Sequence, residues 1–340
     1  MRTVVYLSLL SVAALALCGV AAVPAPPASA QTQQGSPAPT PPANAQGQDD
    51  TERVTARIVR LPISVVDKKD QPVAGLTRHD FQIFEDKVPQ QIDFFLDERE
   101  RQPVYVAVLM DTSSSTAGKL KFEQEAAMNF IHTVIRLRKD KVAFAAFDDE
   151  VRLLQDFTDK LDLLDRAVHS VKKPGSHTSL YDAVWLVCEE KMRNIGSGRR
   201  VVVVISDGDD TYSRARLDDA IDIAQRTETT IFAISTKAGL SGAVPGVEVG
   251  QVRDQGDKNL VRLCEKTGGK AFFTGDFLEL ERSFTKIAKE LRAQYFVTYR
   301  PTNNVYDGKF RKIEVKLAGR SDGLRVRARE GYKAVQDTVQ

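Results

Sequence analysis

This 340-residue chain predicts an α/β fold: a doubly wound, mostly parallel sheet with helices on both faces, joined to a small β domain made from the two flanking segments. Three patterns carry that reading. Between residues 103 and 294, apolar runs of strand length alternate with helix-length segments, as βα units around a mostly parallel sheet require. Two of those runs, Val104–Met110 and Val201–Ser206, are nearly continuous in apolar residues, as buried strands are. Near the C-terminus the period changes to two. Ile313, Val315 and Leu317 alternate with Lys312, Glu314 and Lys316, and Leu324, Val326 and Ala328 alternate with Arg325, Arg327 and Arg329. That alternation marks half-buried strands with one wet face.

The chain begins with a targeting segment. Arg2 is the only charge before residue 49, an apolar stretch runs from Val4 to Val23, and Ala28-Ser29-Ala30 follows. This is the pattern of a secretory signal peptide, residues 1–30, cleaved after Ala30. The alternative is an uncleaved membrane anchor, since about twenty apolar residues span a bilayer. Cys18 follows a bulky Leu17, which argues against a lipid attachment site. Cleavage leaves 47 basic and 46 acidic side chains, a net charge of +1, so no global charge argues for nucleic acid. The expected location is secreted or periplasmic. Residues 31–52, rich in Gln, Pro, Ala and Gly without apolar periodicity, read as a disordered linker.

Residues 53–100 form an N-terminal β segment. Val59, Leu61, Ile63 and Val65 alternate with other residues, Asp67–Pro72 makes a turn, and Phe81, Ile83 and Phe84, then Ile92, Phe94 and Phe95, mark short strands. These are too few to close a sheet alone. The α/β domain, residues 101–294, follows. Its strands are placed at Val104–Met110, Lys141–Phe147, Val201–Ser206, Thr230–Ser235 and Lys270–Thr274. Val151–Phe157 follows the second strand after only three residues, which forces an antiparallel hairpin. Helices are placed at Lys119–Arg138, Asp159–Val171, Leu180–Lys191, Arg216–Thr227, Lys258–Thr267 and Leu278–Gln294, with a Gly-rich loop at 238–256. Cys188 and Cys264 fall on apolar helix sides and read as buried thiols, although an extracytoplasmic compartment permits a disulfide. Residues 295–335 return to strands. The simplest packing joins them with 53–100 into one β domain that carries the α/β domain as an insertion; the rival is two separate β appendages.

Three loops on the same sheet edge supply oxygen ligands. Asp111, Ser113 and Ser115 lie where Val104–Met110 ends; Thr178 lies in Gly175-Ser-His-Thr-Ser-Leu-Tyr-Asp-Ala183; Asp207 ends Val201–Ser206. In an open α/β sheet, ligands bind at that edge. A donor set of oxygens without nitrogen or sulfur suits a hard cation such as Mg²⁺ or Mn²⁺. Each motif alone is ordinary: Ser and Thr cap helices, and Asp-Gly makes turns. Their combination, in this order, is specific.

With these motifs in place, residues 103–294 resemble a von Willebrand factor A (VWFA) domain, a Rossmann-like fold. D-x-S-x-S at Asp111, Ser113 and Ser115, G-x-x-T-S-L-x-D-A at Thr178, and S-D-G at Asp207 match that family's metal-ion-dependent adhesion site. The whole chain is similar to the secreted VWFA-related proteins described in acidobacteria. The resemblance implies that Asp111, Ser113, Ser115, Thr178 and Asp207 hold the metal, some through water, and that an open coordination position accepts an Asp or Glu carboxylate from a partner protein. His177 departs from the family, which often has Gly there; its ring either narrows the pocket and meets the ligand or is an exposed loop histidine. Asp209, Asp210, Asp148 and Asp149 either tune cation affinity or are solvated loop acids. Asp182 either orients the Thr178 loop or is an early-helix acid suited to the dipole.

The expected function is therefore a metal-dependent protein-binding, adhesion-type module and not an enzyme. No G-x-S-x-G elbow or P-loop occurs, and His79, His132 and His169 are scattered without an evident triad context. A metal-dependent hydrolase remains one alternative. The other is a metal-independent polyanion or glycan binder that uses Arg325, Arg327 and Arg329 as a basic stripe.

Overall fold

The computed structural model describes residues 57–97, 102–116, 120–236, 254–273, 277–319 and 323–336. The signal peptide and linker assigned to 1–52 lie outside the described residues, as does the Gly-rich loop up to residue 253. The strands are β1 (Val59–Val66), β2 (Phe81–Glu85), β3 (Val88–Gln90), β4 (Ile92–Leu96), β5 (Val104–Asp111), β6 (Lys141–Phe147), β7 (Val151–Thr158), β8 (Arg199–Ser206), β9 (Thr229–Ser235), β10 (Ala271–Phe273), β11 (Tyr295–Tyr299), β12 (Phe310–Leu317), β13 (Arg325–Arg327) and β14 (Gly331–Lys333). The helices are α1 (Leu120–Val134), α2 (Leu161–Ser170), α3 (Leu180–Val187), α4 (Leu217–Arg226), α5 (Gln255–Thr267) and α6 (Phe277–Arg292).

The central sheet has the order β10-β9-β8-β5-β6-β7, parallel except for the β6–β7 hairpin. Side chains alternate between its faces. Val106, Val108 and Met110 of β5 join α1, α2 and α6 in one core, while Ala107 and Leu109 join α3, α4 and α5 in the other. A sheet covered on both faces explains why β5 and β8 are apolar at nearly every position. The chain leaves β5 through α1 toward β6, and later returns by β8 to the other side of β5. The crevice between the C-terminal ends of β5 and β8 is therefore the switch point of the fold.

The flanking segments pair with each other in two further four-stranded sheets, β13-β1-β11-β4 and β14-β12-β2-β3. Each sheet takes two strands from each end of the chain. Leu61 lies opposite Val297 and Ile83 opposite Val315, and Leu61, Ile63, Ile83, Tyr295, Val297 and Ile313 share one core. Neither flank holds enough strands to bury its apolar face alone, so these strands close only as a joint structure. The α/β segment enters after β4 and leaves at β11.

Some boundaries differ from the sequence expectation. The first α/β helix ends at Val134, not Arg138. There the Asp140 carboxylate accepts the Arg136 N–H at 3.1 Å and grips its guanidinium at 2.6 and 2.7 Å, and Arg138 turns to φ 67°. α3 passes into a π-helical turn, Cys188–Met192. α5 starts at Gln255 rather than Lys258, capped by the Asp254 carboxylate on the Asp257 N–H. The three-residue strands β3 and β14 had no sequence reading.

The basic stripe is a correction. Arg325, Arg327 and Arg329 do not present a free wet face. Arg327 bonds Glu290 of α6 at 2.9 Å and Asp70 of the β1–β2 turn at 2.7 Å. Arg329 is buried, with its guanidinium donating to the Gln225 and Arg60 carbonyls at 2.6 and 3.0 Å. Arg325 stays exposed but also binds Asp70. Alternation showed which side these residues take; it could not show that helices cover that side. Arg327 and Arg329 fasten the β domain to the α/β domain, and Arg325 is tied to Asp70 within the β domain, so the polyanion reading loses its residues.

Cys188 and Cys264 are both buried and unbonded. Burial pushes the Cys188 thiol up to about 12 and raises Cys264 as well, so neither is a thiolate at neutral pH. A reductant should therefore leave the unfolding midpoint unchanged, and a thiol reagent should label neither cysteine until the protein unfolds; labelling of the native protein at the rate of a free thiol would contradict this placement.

Candidate metal site

Strand register brings the first and third loops together. Met110 lies opposite Ile205 in the β5–β8 pair, so Asp111 at the end of β5 stands beside Ser206 at the end of β8. The Ser206 hydroxyl donates to Asp111 Oδ2 at 2.6 Å, and Asp111 Oδ1 accepts the Ser113 N–H at 2.9 Å. From there a chain of oxygens runs outward. Ser113 Oγ lies 3.0 Å from Ser115 Oγ, and Ser115 Oγ donates to Asp207 Oδ2 at 2.9 Å. Four of the five expected ligands are thus linked in one hydrogen-bonded chain, which starts at fully buried Asp111 through the Ser113 N–H and passes exposed Ser115 to Asp207.

The second loop is tied to the other two. The Gly175 N–H donates to the Thr112 carbonyl at 2.8 Å, and Ser114 Oγ to the Ser176 carbonyl at 3.2 Å. A Cβ on Gly175 would lie 2.5 Å from Asp148 Cβ, so glycine is required for this approach. The Thr178 N–H donates to Thr211 Oγ1, and its carbonyl accepts the Thr211 and Tyr212 N–H groups, each at 3.0 Å. Buried Thr178 is therefore locked to the segment that follows Asp207. No direct bond joins its side chain to the other four.

The neighbouring acids now have defined places. Asp182 accepts the Arg214 and Ala215 N–H groups at 3.1 and 2.8 Å, so it orients the 207–215 segment rather than the Thr178 loop. Asp210 returns the contact: its carboxylate accepts the Tyr181 N–H at 2.9 Å and the Ser213 hydroxyl at 2.6 Å, supplying an N-terminal cap to α3 from another loop. Asp148 is buried, bonded to Thr112 Oγ1 at 2.8 Å and to Arg152, so it is not a solvated loop acid. Asp149 accepts the Ser176 N–H at 2.8 Å and faces the His177 ring, and these two contacts hold its carboxyl below the usual range. His177 is exposed but not idle, since its ring stacks on Tyr212 with centroids 4.7 Å apart. Ser206 had no assigned role in the sequence; its position just before Asp207 at a strand end was the available signal.

The electrostatics favour a cation. Burial raises the Asp111 carboxyl to about 6, and the Asp207 charge adds to the rise against the hydrogen bonds of Ser206 and Ser113. Two carboxylates and three hydroxyls offer hard oxygen donors whose charge balances one divalent ion. Among the described residues there is no group of three or more His, Cys, Asp and Glu that could hold a metal. The residues present fit Mg²⁺ or Mn²⁺.

Several solved structures resemble the chain. The vWF domain of the type V pili tip protein Mfa5 from Porphyromonas gingivalis is 14% identical, with 55% of this chain and 94% of that chain covered at a TM-score of 0.43. An aerotolerance-related membrane protein from Bacteroides fragilis is 16% identical, covering 55% and 98% at 0.42. Proximal thread matrix protein 1 from the mussel byssus is 15% identical, covering 61% and 50% at 0.47. No curated protein matches the chain. Residues 106–286 match the family model of the von Willebrand factor type A domain, more than half of the sequence, and the chain belongs to that family.

Proposed function

We propose that the protein is an extracytoplasmic binding module in which Asp111, Ser113, Ser115, Thr178 and Asp207 hold Mg²⁺ or Mn²⁺, and the ion accepts an Asp or Glu carboxylate from a partner protein. The observation that carries this reading is the convergence of three loops at the β5–β8 switch point, with two carboxylates and two serines in one hydrogen-bonded chain. Bound there, the ion would supply Lewis acidity toward an anionic oxygen. The protein's own residues position the donors. Ser206 fixes Asp111, Asp182 and Asp210 fix the Asp207 segment against α3, and Asp148 fixes Thr112.

Binding rather than catalysis is supported by the surroundings. His169 turns back to the Asp165 carbonyl of its own helix, and His177 faces Asp149, so neither stands as a base beside a hydroxyl nucleophile. The extracytoplasmic location rests on the pattern of residues 1–30; no helix among the described residues is long and apolar enough to cross a membrane.

The test is a pull-down from an envelope extract with the mature protein in Mg²⁺ or in EDTA, with Asp111→Asn as control. Partners retained in Mg²⁺ and lost both in EDTA and in the variant are expected. Identical captured sets under all three conditions would refute the metal route.

A further inference from the structure

The face of α6 away from the core is basic and lines a groove. Arg282, Lys286 and Lys289 are all exposed and recur one turn apart, spanning about 10 Å along the helix axis. Opposite them is the β1–β2 turn at Asp70, Gln71 and Pro72, and the groove between has a volume of about 320 Å³. Among the described residues, no hydrogen bond or ion pair uses the charged ends of those three side chains. They do not belong to the network that fastens the domains, and they share no residue with the metal site.

Charge in the groove is less balanced than its lining suggests. Asp70 lines it, yet that carboxylate is already bound to Lys270, Arg325 and Arg327. Arg327 also answers Glu290. Counting Glu281 as well, six cations face three carboxylates, and the uncommitted positive charge is concentrated on α6. Pro72 and the lysine methylenes give the groove an apolar floor, since long basic side chains bury their stems while keeping their charges wet. Regularly spaced cations beside such a floor match a ligand with repeated negative charges better than a single anion.

We propose that this groove is a second, metal-independent binding site for a linear polyanion bearing repeated phosphate or sulfate groups, held by Arg282, Lys286 and Lys289. Lys270 at the Asp70 end extends the positive field. The site recovers a polyanion-binding role on residues other than the 325–329 arginines, which already have carboxylate or carbonyl partners.

The test titrates the full mature protein, in EDTA at low salt, with medium-chain polyphosphate in one arm and a sulfated oligosaccharide in the other. Either arm, or both, should show saturable binding that weakens with salt, and the responding arm identifies the anionic group. The variant Arg282→Gln/Lys286→Gln/Lys289→Gln should bind about tenfold more weakly or worse, with a shallower salt dependence and an unchanged unfolding midpoint. Glu281→Gln should bind more tightly, because it removes a repelling carboxylate; a general loss of structure cannot produce that gain. No binding in either arm, full binding by the triple variant, or binding that needs Mg²⁺ and Asp111 would overturn the proposal. The last of these would assign the anion to the metal site instead.

Discussion

Asp111→Asn is expected to make the metal-free protein more stable at pH 7 while removing its response to magnesium. Asp111 is fully buried and its carboxyl is raised to about 6, chiefly by burial. Its unfolded value is near 3.8. Between those two values the folded chain holds a proton that the unfolded chain has lost, so the slope of stability with pH is negative there. Stability of the metal-free protein should fall as pH rises from about 4 to 6 and level off above, at a total cost of at most ~3 kcal/mol. Asparagine keeps the shape and an acceptor for the Ser113 N–H without the buried charge. Its midpoint in EDTA at pH 7 should therefore exceed that of the wild type, and the gap should close near pH 4. Magnesium reverses the order. An ion that binds only the folded state adds about 2.7 kcal/mol at a hundred times its dissociation constant. The wild type should gain that and the variant should not, and the gain should fade below pH 6 as Asp111 takes up its proton. Thermal melts of both proteins, with EDTA and with magnesium at pH 4, 6 and 7.5, measure all of this. An equal magnesium shift in the two proteins would remove Asp111 from the ligand set.

The elements that the sequence announced are those whose burial is uniform or strictly periodic. β5, β6, β8 and β9 were legible because both faces of the central sheet are covered, and β12 because one face is wet. β3 and β14, three residues each, are too short to show a period. The candidate site was legible for a related reason: Asp111 and Asp207 end apolar strands, and parallel register brings strand ends together whatever the loops do. What escaped was contact between distant loops. The caps that Asp210 gives Tyr181, and Asp182 gives Ala215, join residues 29 and 33 positions apart, and no local spacing encodes them. Arg327 and Arg329 were misread for the same reason. A period of two tells which residues share a side, but not that α6 and the β1–β2 turn lie over it.

Arg327 should be the costliest of those arginines to remove. Its side chain is 16% exposed, and its guanidinium bridges Asp70 to Glu290, whose side chain is 5% exposed. Glu290 Oε1 has no partner of its own, so the carboxylate depends on Arg327. Arg327→Ala strands that charge at the junction between α6 and the β domain, a change that costs about 3–5 kcal/mol when a buried pair loses one member. Arg325→Ala removes a 55% exposed partner of the same Asp70 and should cost under about 1 kcal/mol. The contrast separates a junction from a surface ion pair. The double variant Arg327→Met/Glu290→Met should recover most of the loss, because it removes both charges and restores packing. Chemical denaturation of the four proteins reads the difference directly. Arg327→Ala as mild as Arg325→Ala would show that the carboxylate reaches water when its partner leaves. If the large loss is found, and unfolding remains a single transition, then α6 and the surrounding β sheets melt together. The chain's topology demands such coupling, since α6 runs into β11 after only Ala293 and Gln294, and β11 sits between β1 and β4 in the middle of its sheet.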